Sequence, residues 1–172
     1  EAAESERRVS DERLRLALTA SRQGIYDVDL ATGVGVVTPE YALMLGHDPA
    51  TFKETSEGLT ERLHPADRER ALAVFREHAT RGVSDYRIEF RLRTASGQYK
   101  WILSVGRIVG WRPDGSPERM LGTHTDISER KQYEAEILAV RERLEATINA
   151  IPDLLFELNR EGEYLTFHSP RT

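Results

Sequence analysis

From residue 86 to residue 93 the chain alternates without a break, Tyr86, Ile88, Phe90 and Leu92 against Arg87, Glu89, Arg91 and Arg93. A period of two sends the first set to one side of an extended strand and the second to the other, so this stretch is a strand buried on one face only. Sheets with one wet face are antiparallel, and their dry face must be covered by another layer. The turn residues agree: Ser96-Gly97 and Asp114-Gly115 each reverse the chain, making residues 85–127 a three-stranded meander. Upstream, Ile25 to Leu30 and Val34 to Val37 pair around Ala31-Thr32-Gly33.

Helix signals fill the remainder. Ser10 can cap a helix running to about Ser21, with Val9 stapled onto Leu14 and the face Leu14, Ala17, Leu18 beside a second stripe of Leu16 and Ala20. Pro39 opens a helical turn that Gly46 ends. Leu63-His64-Pro65-Ala66-Asp67 starts another helix, whose apolar arc is Ala71, Leu72, Val74, Phe75 and Ala79 and whose stop is Gly82. The order, two strands, then helices, then three strands, predicts an α+β domain: a five-stranded antiparallel sheet with short helices on one face.

After Ile127 the period changes again. Tyr133, Ile137, Val140, Leu144, Thr147 and Ile151 recur in steps of four and three, a heptad seam on one long helix that Pro152 ends. Arg130 with Glu134 is one of several opposite charges lacing its outer face. Two arrangements satisfy the seam, a partner helix or a fold back onto the same domain. Beyond it, Leu154-Leu155-Phe156-Glu157-Leu158 repeats in type Tyr26-Asp27-Val28-Asp29-Leu30, with Gly162 standing where Gly33 stands. The expected divisions are an upstream linker over 1–9, a domain over 10–131, a connector helix over 132–151 and, over 152–172, the start of a second like domain.

Composition then removes whole function classes. With 24 basic and 29 acidic residues and no block of like charge, nothing marks a nucleic-acid or anionic-membrane surface. No apolar run is long enough to cross a bilayer, and cytoplasmic placement is expected. The absence of cysteine excludes disulfides, thiolate metal sites, cysteine nucleophiles and thiol-linked chromophores. There is no nucleophile elbow, P-loop or activated nucleophile, so the chain is not read as an enzyme. Since it opens on Glu1 and closes inside a strand-like pattern, it is expected to be a segment of a longer polypeptide.

Three segments in order, Leu63-His64-Pro65-Ala66-Asp67-Arg68, Gly97-Gln98-Tyr99-Lys100-Trp101-Ile102 and Gly122-Thr123-His124-Thr125-Asp126-Ile127-Ser128-Glu129-Arg130-Lys131, resemble the PAS domain with its C-terminal PAC motif. The resemblance covers roughly residues 10–131, and the tail looks like the start of a second PAS domain. It implies a sensory and dimerising module of a bacterial signalling protein, relaying a signal through the outgoing helix to an output domain in the same chain. Cyclic di-GMP turnover by GGDEF or EAL domains is favoured over a histidine kinase. A homodimer through the N-terminal and connector helices follows, with Tyr133, Ile137, Val140, Leu144 and Ile151 as its seam.

The site residues follow the same way. Asp126 is expected to cap the outgoing helix with Glu129 as its reciprocal partner, Ser128 being an alternative cap where the family usually has Thr. His124 resembles the position from which light-sensing relatives aim a glutamine at flavin, which makes it a pocket residue able to titrate near neutrality, or a satisfied structural histidine. Tyr99, Trp101 and Trp111 alternate on one strand face, suited to a pocket, a core or a dimer contact. No cofactor is expected: the flavin adduct needs a cysteine, and haem survives only as an alternative through His78, near Phe75 on the apolar arc. His78 cannot share a metal with His64, about 21 Å away along the helix. The rival readings are a small-molecule or haem receptor and, third, an enzyme.

Overall fold

The computed structural model describes residues 6–10, 12–13, 16, 23–81, 85–150 and 155–168, with the side chains of 79–81, 155 and 167–168 left aside. They fall into two compact units, residues 1–128 and residues 129–172.

In the first unit β1 (Gln23–Asp29) and β2 (Val34–Val37) form the expected hairpin. Helix α1 (Pro39–Met44) follows, with proline in its first turn and Gly46 at φ 77° after its end. Next come β3 (Glu54–Thr55), α2 (Ser56–Arg62) and α3 (Pro65–Arg81). The meander is β4 (Asp85–Arg93), β5 (Tyr99–Trp111) and β6 (Pro117–Asp126). Gly97 and Gly115, at φ 85° and 81°, take the left-handed positions that its two turns require.

The sheet order is β3-β2-β1-β6-β5-β4, so the first hairpin docks against the last strand, Tyr26 opposite Gly122. From β3 at one edge the chain crosses to β4 at the other through α2 and α3. The strand alternation is realised in β4: Tyr86, Ile88, Phe90 and Leu92 are buried, and they share the core with Tyr41, Leu45, Leu63, Ala71 and Ile102. Each large apolar side chain buried this way contributes about 1.5–3 kcal/mol.

Two expectations are corrected. The sheet has six strands, because the two-residue β3 pairs with Val34 and Gly35 at the edge. So short a strand has no alternation to read. Residues 6–10 are already helical, so Ser10 lies inside a helix and does not cap its start; Glu6, Arg7 and Arg8 are good helix formers. The apolar face Leu14, Ala17 and Leu18 lies outside the described residues, as does the Gly82 stop.

In the second unit, α4 (Ser128–Ala150) runs into residues 129–150, and β7 (Leu155–Leu158) pairs with β8 (Tyr164–His168) as an antiparallel hairpin. None of the α4 residues is buried; Tyr133, Ile137, Val140 and Leu144 of the seam are exposed, Ile137 to 70%. The Arg130–Glu134 pair forms, at 3.1 Å. Ile151 lies outside the described residues.

Candidate functional site

Two places in the first unit carry more polar organisation than packing requires. The first is a cavity of about 190 Å³ between the helices and the inner face of the sheet. Its apolar walls include Val28, Leu59, Leu72, Phe75 and Met120. On one side the Glu54 carboxylate, in a buried residue, accepts the Tyr41 hydroxyl at 2.7 Å and both bonds of the Arg62 guanidinium, whose plane also lies 5.2 Å over Phe52. A carboxylate this deep requires such partners.

On the other side the phenols of Tyr26 and Tyr86 hydrogen-bond each other, and each lies 3.3 Å from the Ser104 hydroxyl. Burial pushes both phenols' pKa up, so both stay protonated and available as donors. Gly106 and Gly122, directly opposite on β5 and β6, make room for the Tyr26 phenol: a Cβ on either would collide with it. Beside it His124 is 3% exposed, stacked on Tyr41 at 4.8 Å and edge-on to Tyr26 at 4.9 Å and Phe90 at 5.6 Å. Burial, and secondarily the Arg62 cation, push its pKa down to about 3. The neutral imidazole therefore does not titrate near neutrality, which corrects that expectation.

The second place is the corner where β6 becomes α4. Asp126 accepts the Ser128 N–H at 3.0 Å and the Lys100 ammonium at 2.8 Å. Burial works to raise its pKa, but Lys100 and Ser128 prevail and the carboxyl is held below its usual range. The Ser128 hydroxyl accepts the Trp101 N–H at 3.0 Å, and the Ile127 N–H donates to the Trp101 carbonyl at 2.9 Å. Asp126 thus satisfies the N–H of Ser128, the first residue of α4, whereas the Ser128 hydroxyl ties the helix start to β5. Glu129 is no reciprocal cap: its carboxylate accepts the Tyr133 hydroxyl at 3.3 Å, one turn along α4.

Of the expected pocket residues, His124 and Phe75 line the cavity; His78, Tyr99 and Trp101 do not. His78 Nδ1 lies 2.8 Å from the Val74 carbonyl and its ring packs edge-on against Tyr86 at 5.7 Å, so it is turned to its own helix. Tyr99 and Trp101 sit on the outer sheet face, because the alternating partners Ile102, Ser104 and Ile108 take the inner one. Tyr99 packs on His64 at 4.6 Å, and Trp101 lies under the Arg91 guanidinium at 5.0 Å. Arg91 in turn holds Asp67, a residue read from sequence only as a helix starter. Sequence reasoning also passed over Tyr26, Tyr41, Glu54 and Arg62. The glycines within β5 and β6 were the available signal for Tyr26; nothing local marks Glu54 and Arg62. Among the described residues no group of three or more acidic or histidine side chains could hold a metal ion.

The model of the PAS fold matches residues 36–124, just over half of the chain. The chain belongs to the PAS family. As a PAS domain it is a sensory module, with no catalysis of its own. A solved domain of a sensory box histidine kinase/response regulator from Burkholderia thailandensis superposes with a TM-score of 0.68 at 32% identity, over 78% of this chain and 98% of that one. The protein described as "Probable diguanylate cyclase DgcE" of Escherichia coli is 26% identical over 92% of this chain, and the "Non-motile and phage-resistance protein" of Caulobacter vibrioides is 25% identical over 91%. The chain spans only 14% and 18% of those two relatives. The β7–β8 hairpin lies beyond the residues matched to the PAS fold. No helix among the described residues is long and apolar enough to cross a membrane.

Proposed function

We propose that this PAS domain is a sensory and dimerising module that passes a signal from its cavity face through the β6–α4 corner into α4, and thence to an output domain in the same polypeptide. The observation that carries this reading is the doubly tied corner. Trp101 and Lys100 of β5 grip Ser128 and Asp126, so a shift of the sheet must move the first turn of α4. Downstream, the open seam of Tyr133, Ile137, Val140 and Leu144 is what a second copy would cover, with the N-terminal helix contributing to the same dimer.

The output is cyclic di-GMP turnover, a reading supported by the diguanylate cyclase likeness, and the setting is read as cytoplasmic. The Burkholderia likeness favours a histidine kinase as second reading. The β7–β8 hairpin is the opening of a second PAS domain, a reading supported by the repeat in type of Tyr26 to Leu30 at Leu154 to Leu158. Sedimentation of the chain at micromolar concentration tests the dimer. The wild type is expected to associate and Ile137→Asp with Leu144→Asp to sediment as a monomer; equal association of both sinks the mechanism.

A further inference from the structure

We propose that the cavity binds an uncharged molecule the size of one aromatic ring with a single hydrogen-bonding substituent, and that His124 is its polar anchor. The inference rests on reading the domain as a sensor and names the class of what it senses.

Volume sets the first limit. A dry apolar cavity of about 150 Å³ accepts benzene, whereas drug-sized ligands occupy about 300–1,000 Å³. At about 190 Å³, one ring and a short substituent fill the space, and a macrocycle or a fused tricycle does not.

Charge sets the second. Glu54 is the one side chain lining the cavity that carries a full charge, and Arg62 with the Tyr41 hydroxyl already occupies it. An ion entering the cavity would find no free counter-charge, so a neutral ligand is selected.

His124 supplies the third. It is 97% buried, lines the cavity, and makes ring contacts only; among the described residues neither ring nitrogen has a hydrogen-bond partner. Neutral imidazole carries one donor and one acceptor, and neither nitrogen is among the fully buried unpaired atoms, so both stay open to a partner. The stacked Tyr41 and the edge-on Tyr26 and Phe90 hold the ring in place, so the cavity is where its missing partner sits. A hydroxyl on a one-ring ligand meets that need and a methyl does not.

Phenol, toluene and benzoate, alike in size, separate these limits when titrated into the 172-residue chain at neutral pH and followed by thermal unfolding and by the imidazole nitrogen shifts of His124. Phenol is expected to bind saturably, raising Tm by roughly 3–8 °C at about ten times its Kd. It should move the His124 nitrogens and outbind toluene about tenfold, the worth of one hydrogen bond. Benzoate should give no shift. His124→Phe, which keeps a ring but loses the polar edge, should reverse the phenol-over-toluene preference. If that variant does not fold, the wild-type order and the nitrogen shifts decide alone. Toluene equal to or tighter than phenol overturns the anchor, benzoate binding as well as phenol overturns the charge rule, and no binding by phenol or toluene at millimolar concentration overturns the ligand class. Any of these leaves the relay reading standing, since that falls on the association of the seam variants.

Discussion

The hydroxyl of Ser128 accepts the backbone N–H of Trp101 at 3.0 Å, one rung beyond the Ile102–Asp126 pair that ends the β5–β6 ladder. A side-chain oxygen thus stands in for a strand carbonyl after the chain has turned into helix, and it keeps the sheet's bonding pattern continuous into α4. Ser128→Ala removes this acceptor from a half-buried N–H, at a cost of about 1–2 kcal/mol. Ser128→Thr keeps the oxygen and should stay within about 0.5 kcal/mol of wild type. Urea unfolding of the three proteins checks the pair, and equal midpoints for alanine and serine would refute it.

Asp67 ties the start of α3 to β4. Its carboxylate accepts the Arg91 backbone N–H at 2.9 Å and two guanidinium bonds at 2.8 and 2.9 Å. Those bonds to Arg91, over the opposing effect of burial, hold its carboxyl below the usual range. Asp67→Ala strands the N–H and a partly desolvated cation, and should cost about 2–3 kcal/mol. Arg91→Ala leaves the backbone bond in place but strands a carboxylate whose side chain is only 7% exposed, so its cost should be larger, about 3–4 kcal/mol. Denaturation midpoints that rank the two the other way round would contradict this reading.

The sheet was legible in the sequence because side-chain alternation is a local property of an extended chain, and Tyr86 to Leu92 display it in full. The choice of face on β5 was not. Tyr99, Trp101 and Trp111 are the bulkier set, and bulk suggests burial, yet the core takes Ser104 and Gly106. Those small residues are inside because Tyr26 and Tyr86, on other strands, fill the space above them. Likewise the Glu54–Arg62–Tyr41 set joins β3, α2 and α1 and has no spacing of its own to recognise. Asp126 could be read because its bond to the Ser128 N–H spans two residues; Ser128 could not, because its partner lies 27 residues back.

The glycine lane makes a sharp steric prediction. A Cβ at Gly122 would run into both the Tyr26 phenol and the Val105 carbonyl, and the second is backbone that cannot swing aside. Gly122→Ala should therefore destabilise by about 1–3 kcal/mol, the range for overpacking a filled core. Adding Tyr26→Phe removes the phenol oxygen but not the ring carbon or the carbonyl, so it should not rescue the variant. Recovery of the wild-type Tm in the double variant would show that the clash is with the oxygen alone.

His124 gives the first unit an acid sensitivity that begins above the carboxylate range. Burial, then Arg62, lower its pKa from 6.5 to about 3 in the folded state. A depressed folded pKa contributes stability that is complete above the unfolded value and is lost as pH falls toward the folded one. Below pH 6.5 the unfolded chain takes up a proton that the folded chain refuses, so stability should fall by about 1.4 kcal/mol per unit, or roughly 2–3 kcal/mol by pH 4.5. Asp67 and Asp126, whose carboxyls are held below their ordinary value of 3.8, begin to add their own losses only under that window. His124→Phe removes the titrating ring, so whatever its absolute stability, its urea midpoint should change far less between neutral pH and about pH 4.5 than that of the wild type. Parallel slopes in the two proteins would mean that another group takes up the proton and that His124 is not the residue burial keeps neutral.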